Sequence, residues 1–288
     1  MSPSIVAVSL GLFSALTLAA ANFAVKRGSD VLTARMVLSL SMALSVLPFV
    51  WVVEAPLIEL WPIFIAPVLV HWAYQFCLIK ALHRGDLSRV FPIMRGSAPM
   101  LVALAAAVVL GETLSWMGWM GLAMASLAVI VFALPEMPGL SLFEKAESRK
   151  ASYWAVLTAL GIAAYSVVDA HAIRQMPSAY TFIVYLFLLD WIGITIVALW
   201  TRRGELWPRI RPQLKAGMLG GLAGTLSYGS ALYAFTLADT AFVTAMRETS
   251  VVWAALMGAY GLKEGFGTRR ILAACGLATG LVLMQVFG

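Results

Sequence analysis

Ten apolar runs, each close to 20 residues and separated mostly by short polar turns, follow one another along the 288 residues. A helix rises about 1.5 Å per residue, so roughly 20 apolar residues match the ~30 Å hydrocarbon thickness of a bilayer. On that ruler the runs predict helices near 4–25, 31–53, 60–82, 86–110, 114–134, 152–174, 179–201, 213–236, 239–262 and 268–287. A soluble helical protein is excluded by composition. With 61% hydrophobic and 12% charged residues, the chain has too few charges to wet a surface of this size. The expected fold class is an all-α integral membrane protein, with nothing outside the bilayer large enough to be a domain.

The net charge of +6 does not mark a nucleic-acid binder, because the basic residues sit between apolar runs and not along one stripe. Their distribution sets orientation. Lys26 and Arg27 follow helix 1, Arg84 and Arg89 follow helix 3, and Lys145, Arg149 and Lys150 follow helix 5. Arg202, Arg203, Arg209, Arg211 and Lys215 follow helix 7, and Lys263, Arg269 and Arg270 follow helix 9. The even-numbered loops carry Glu54, Glu59, Glu112 and Asp239 against one base, Arg174. The positive-inside rule then places the odd loops in the cytoplasm and both termini outside. Because Lys26 and Arg27 come after the first run and not before it, a cleaved signal peptide is not expected. Cys77 and Cys275 lie singly within apolar runs, which predicts neither a disulfide framework nor a metal site.

Two stretches repeat an unfavourable pattern. SRVFPIMRGSAPMLVALAAAVVLGE (88–112) and TAFVTAMRETSVVWAALMGAYGLKE (240–264) each bury a Met-Arg pair, and each arginine precedes a glutamate by the same 17 positions. Aligning Arg95 with Arg247 also superimposes Met94 on Met246, Ala103 on Ala255, Leu104 on Leu256 and Glu112 on Glu264. On helices 1 and 6, LGLFSA (10–15) is similar to LGIAAY (160–165). Two copies of five helices are implied, 1–135 and 152–288, joined by the polar linker 136–151. Five is odd, so the second copy enters the membrane inverted. The charges agree: the basic turn KALHRGDLSR of the first copy becomes YAFTLADTAF in the second, while LGETLSW becomes the basic LKEGFGTRR. Inverted repeats characterise secondary transporters, whose substrate sits near the midplane between the halves.

With its two five-helix copies, each carrying a glutamate in the turn between its fourth and fifth helices (LGE at 110–112, LKE at 262–264), the chain resembles the drug/metabolite transporter superfamily. Within it the likeness is to the ten-helix EamA-type branch, over nearly the whole length. The resemblance implies outward transport of small metabolites, including amino acids, and extends to the YddG-type aromatic amino-acid exporters.

The candidate site follows from charge at depth. Arg95 lies nine residues beyond Asp86, and Arg247 eight beyond Asp239, roughly 12–14 Å into the membrane. An arginine facing lipid there costs at least ~2.5 kcal/mol, so both should face protein or a wet cavity. Carboxylates at similar depth are Asp169, Asp190 and Glu248. Two readings stand side by side: the arginines hold a substrate carboxylate while an acid holds its amine, or these charges pair to tie helices together. Pro92 and Pro99 flank Arg95 and are expected to loosen helix 4. In helix 3, His71 and Gln75 share a face with Tyr74 beside it; Tyr165 and Asp169 do so in helix 6, and Tyr228 lies amid serines in helix 8. Trp253 is a candidate stacking surface. The expected substrate-binding set is His71, Tyr74, Gln75, Arg95, Tyr165, Asp169, Tyr228, Arg247, Glu248 and Trp253. Glycines 217, 220, 221, 224, 276 and 280 predict close helix approach, and Glu112 and Glu264 predict dipole caps on the helices that follow them.

No nucleophile–base, HExxH, Walker or dinucleotide pattern is present, so an enzyme is not expected, nor a cofactor. The expected function is secondary transport of neutral or aromatic amino acids and related metabolites across the inner membrane by alternating access. The expected partners are that small molecule, the bilayer and protons as the candidate coupling ion, with the chain acting as a monomer. Proton-coupled drug efflux and a scaffold or receptor without flux are the alternatives.

Overall fold

The computed structural model describes residues 3–25, 30–84, 87–133, 142–202, 204–253, 256 and 268–287. The bases at 26 and 27, Asp86, Ala255, Lys263, Glu264 and the linker as far as 141 lie outside the described residues. The long helices are α1 (Pro3–Val25), α2 (Val31–Val46), α3 (Pro62–Arg84), α4 (Leu87–Val109) and α5 (Trp116–Ala133). In the second half they are α6 (Leu142–Gln175), α7 (Ala179–Thr201), α8 (Leu214–Ala234), α9 (Thr240–Glu248) and α10 (Thr268–Phe287). Among the described residues, five segments are long and apolar enough to cross a membrane: Ser4–Ala21, Val31–Trp51, Ile58–Arg84, Arg149–Gln175 and Ala179–Thr201. Shorter apolar helices run over Ile93–Val109, Trp116–Val131 and Ile271–Phe287. Outward faces carry bare Val52, Ile58 and Val108, and the ends carry exposed Trp51, Trp116 and Trp200, as lipid and its interface require.

Three boundaries differ from the sequence expectation. The second helix stops at Val46 and continues as a 3-10 turn over Leu47–Trp51, because Pro48 has no N–H for the α-helical bond and its ring crowds the preceding turn. The linker is not all loop: 142–151 is helical and continuous with α6, since EKAESRK is built from strong helix formers. Helix α4 runs unbroken through Pro92 and Pro99. Its counterpart α9, which has no proline, breaks at Thr249 directly after Arg247 and Glu248. There the Thr249 amide bonds back three residues to the Met246 carbonyl at 3.2 Å, and its hydroxyl takes the same carbonyl at 2.8 Å.

Packing follows the duplication. Helix α1 lies on α8 and α3 on α6; α4 lies on α6 and α9 on α1; α2 touches α7 and α8, as α7 touches α2 and α3. Helices α4 with α9 and α5 with α10 pair directly. Exchanging each helix for its counterpart in the other half maps these main contacts onto themselves. Small residues set the closest approaches. A Cβ on Gly121 or on Gly280 would lie 2.6 Å from the other's carbonyl oxygen, so α5 and α10 pack backbone to backbone. A Cβ on Gly221 would collide with Ser41, whose hydroxyl donates to Met218 O at 3.0 Å and ties α2 to α8.

Candidate functional site

A cavity of about 110 Å³ lies between the halves, lined from α1, α2, α3, α6, α7, α8 and α9. One water needs roughly 10–15 Å³ of such space, so the cavity has room for several water-sized groups. Its walls are mixed. Leu18, Leu38, Met42, Leu186 and Phe187 supply apolar surface, while Arg35, His71, Gln75, Asp190, Tyr228 and Arg247 supply polar and charged groups.

The polar wall is built on helix spacing. One turn of α3 presents His71, Tyr74 and Gln75 to the cavity together. His71 Nε2 lies 2.8 Å from Asp169 Oδ2 on α6, and its Nδ1 lies 3.7 Å from Asp190 Oδ1 on α7. Tyr228 of α8 donates its hydroxyl to the same Asp169 Oδ2 at 2.5 Å, while Asp169 Oδ1 has no hydrogen-bond partner among the described residues. The Gln75 amide donates to both Asp190 oxygens, at 2.9 and 3.0 Å, and the Trp72 indole holds the Asp190 backbone carbonyl at 3.0 Å. Four helices from both halves thus meet at one imidazole flanked by two carboxylates. Above it stand three tyrosines: Tyr165 stacks on His71 at 4.8 Å and meets Tyr74 and Tyr228 edge-on at 4.9 and 5.6 Å.

The two sequence-matched arginines have unlike surroundings. Arg247 lines the cavity, donates from Nε to Ser14 Oγ at 3.1 Å and places its guanidinium 5.0 Å over the Tyr228 ring. Arg95 lies outside the cavity lining. Its Nε is 3.2 Å from Glu248 Oε2, and its Nη2 donates to Ser250 Oγ at 3.2 Å, which ties α4 to the twin helix α9. Trp253 is 38% exposed and also lies outside the lining. Of the expected set, then, His71, Tyr74, Gln75, Tyr165, Tyr228 and Arg247 surround the cavity and Asp169 sits directly behind it. Arg95, Glu248 and Trp253 stand apart. The sequence reading missed Arg35, Ser14 and the role of Asp190 beside the cavity. Arg35 falls five residues after Asp30, where a charge looks like a flank able to reach the interface, and that masked an arginine inside a span.

Both ends of the bundle carry ionic ties. On the side of the even-numbered loops, Glu112 does not cap its own α5. Its carboxylate accepts from the Thr240 amide at 2.7 Å and from Thr240 Oγ1 at 2.8 Å, so it caps α9 of the other half, and it pairs with Arg174 at 2.8 Å. The physical reason is geometric: α9 starts beside this turn, and its free amide is the unmatched donor there. Arg174 also donates to the carbonyls of Phe235 and Ala238. Asp239 in the same loop has its pKa raised, first by burial and then by the Glu112 charge, with Arg174 opposing. On the other side, Asp30 accepts from Thr33 Oγ1 at 2.8 Å and Arg202 at 3.0 Å, with Arg209 at 3.5 Å. Burial acts to raise the Asp30 pKa, but the Thr33 and Arg202 interactions outweigh it and hold the carboxyl below its usual value. Among the described residues, no cluster of three or more His, Cys, Asp and Glu side chains is placed to hold a metal ion.

The EamA-like transporter family model matches residues 1–134 and 149–286. A solved crystal structure, described only as that of a protein, aligns with a TM-score of 0.74 over 99% of this chain and 99% of its own at 14% identity, a likeness of fold. None of the curated proteins matches the chain. With one match in each half spanning nearly all of its length, the chain belongs to the EamA-like transporter family and is a membrane transporter of small molecules.

Proposed function

We propose that this protein is a secondary transporter that exports neutral and aromatic amino acids and related small metabolites across the inner membrane by alternating access. The observation that carries the reading is the cavity between the halves, where two guanidiniums and a carboxylate share walls with aromatic and aliphatic side chains. A zwitterion needs both signs of charge close together, and an apolar side chain needs the remainder. Supporting it further, the halves contact one another through exchangeable helix pairs. Two bundles of like shape can rock about a shared site and open it to either side in turn. The positive-inside charge count supports odd loops in the cytoplasm and both termini outside. The test is counterflow: purified protein in liposomes loaded with unlabelled amino acid should accumulate the labelled one, and empty liposomes should not. Binding without flux would favour a receptor or scaffold.

A second reading, proton-coupled efflux of drugs or other metabolites, draws on one observation: His71 stands between the carboxylates of Asp169 and Asp190. Such a triad can hold a proton at the cavity wall. Acidifying one face of the liposomes should then drive uphill movement, and a rate indifferent to the pH gradient would exclude it.

A further inference from the structure

Three arginines sit in the interior of the described helices α2, α4 and α9, and they are not equivalent. Arg95 has a counter-charge, with Glu248 Oε2 3.2 Å from its Nε, and donates from Nη2 to Ser250. Arg247 spends its Nε on Ser14 and one face on Tyr228. Arg35 of α2 lines the same cavity, yet among the described residues its buried Nε has no hydrogen-bond acceptor and no carboxylate lies within 4.0 Å of its guanidinium. A guanidinium carries five donors in a fixed fork and is always charged. Left without acceptors inside a membrane protein, it is an incomplete site.

Asp190 lines the same cavity, and its carboxylate does not close into an ion pair with Arg35: no Arg35 nitrogen comes within 4.0 Å of its oxygens. Asp190 has neighbours of its own: the Gln75 amide bonds both of its oxygens, His71 Nδ1 lies 3.7 Å from Oδ1, and the Trp72 indole pins its backbone. A cation on α2 and an anion on α7 therefore both border the cavity without pairing with each other. These two helices are counterparts in the two halves and contact each other directly.

Resting on the reading that this cavity is the transport site, we propose that Arg35 takes the anionic group of the substrate while Asp190 takes its cationic group. The pair then selects small dipolar molecules over analogues that carry only one of the two charges. A ligand missing its anionic group leaves Arg35 without a counter-charge, and one missing its cationic group leaves Asp190 with only the Gln75 amide and the His71 ring, so either forfeits an ion pair. Arg247, already bonded, is left with a supporting part.

The experiment measures both binding and counterflow of labelled L-phenylalanine by the full-length protein in liposomes. Competitors are L-phenylalaninamide, which lacks the carboxylate, and 3-phenylpropionate, which lacks the amine. Wild type should prefer phenylalanine at least tenfold over both. Arg35→Gln should weaken phenylalanine at least tenfold and abolish its preference over the amide, while the preference over phenylpropionate survives. Asp190→Asn should do the reverse, and Arg35→Lys should restore part of the first preference. A protein that merely lost packing would not change one ratio and spare the other. If wild type takes the amide as well as phenylalanine, or if folded Arg35→Gln keeps both ratios, the assignment of Arg35 is overturned and the transporter reading stands. If phenylalanine binds with these preferences but does not move, the transporter reading falls and the assignment stands. Folded wild type that neither binds nor moves phenylalanine overturns both.

Discussion

Arg95→Met should expose what the Arg95–Glu248 pair does. The Glu248 side chain is 1% exposed and that of Arg95 is 11% exposed, with 3.2 Å between Nε and Oε2. Among the described residues Arg95 is the one cation within 4.0 Å of Glu248. Removing it strands a carboxylate where water does not reach, at a cost of about 3–5 kcal/mol. At roughly 2 °C per kcal/mol for a chain of this size, the melting temperature in detergent should fall by about 6–10 °C. Replacing both partners, Arg95→Met with Glu248→Leu, removes the stranded charge and both desolvation penalties. It should return stability to the wild-type level or above, because buried pairs exchanged for apolar side chains are neutral or stabilising by about 1–4 kcal/mol. Fluorescence-detected size exclusion after heating reads both variants. The reasoning is refuted if the single variant melts like wild type or the double variant melts no higher than the single. Since neither residue lines the cavity, the double variant should also keep its counterflow KM within about twofold, and a large rise would return both residues to the binding site.

Other outcomes follow from the ends and seams of the bundle. Glu112→Ala removes the acceptor of the Thr240 amide and should cost about 1–2 kcal/mol, as a lost helix cap does; Glu112→Gln, which keeps an acceptor, should cost less in the same thermal assay. Asp239 has its pKa raised by burial and by Glu112, so the folded chain holds that proton to higher pH than the unfolded one. Its contribution to stability therefore falls as pH climbs through the interval from the ordinary aspartate value to the raised one. The Asp239 side chain makes no cap bond to α9, so Asp239→Asn forfeits none and should melt higher than wild type at pH 7, with the advantage vanishing below the ordinary aspartate pKa; a lower melting point at pH 7 contradicts this. Gly280→Ala drives a methyl to within 2.6 Å of the Gly121 carbonyl and should destabilise by about 1–3 kcal/mol through overpacking, read in the same thermal assay.

The helical membrane architecture was legible in the sequence because a bilayer judges each segment almost alone: about 20 apolar residues suffice to predict a span. The same logic picked out His71, Asp169, Arg95 and Arg247, since an ionisable side chain at such depth must turn inward. It overlooked Arg35, whose position near a span end has an ordinary explanation. It also treated Arg95 and Arg247 as twins because they are twins in alignment.

Partnership is where sequence stopped. Arg95 meets Glu248 while its counterpart meets Ser14, 233 positions away. Glu112 caps a helix 128 residues further on and leaves the one it precedes. Burial of a charge depends on that residue's own chemistry and its place in a run, so it can be read locally. The choice of partner depends on which helices abut and at what rotation. That is settled by backbone contacts such as Gly121 against Gly280, made between distant parts of the chain only once it has folded.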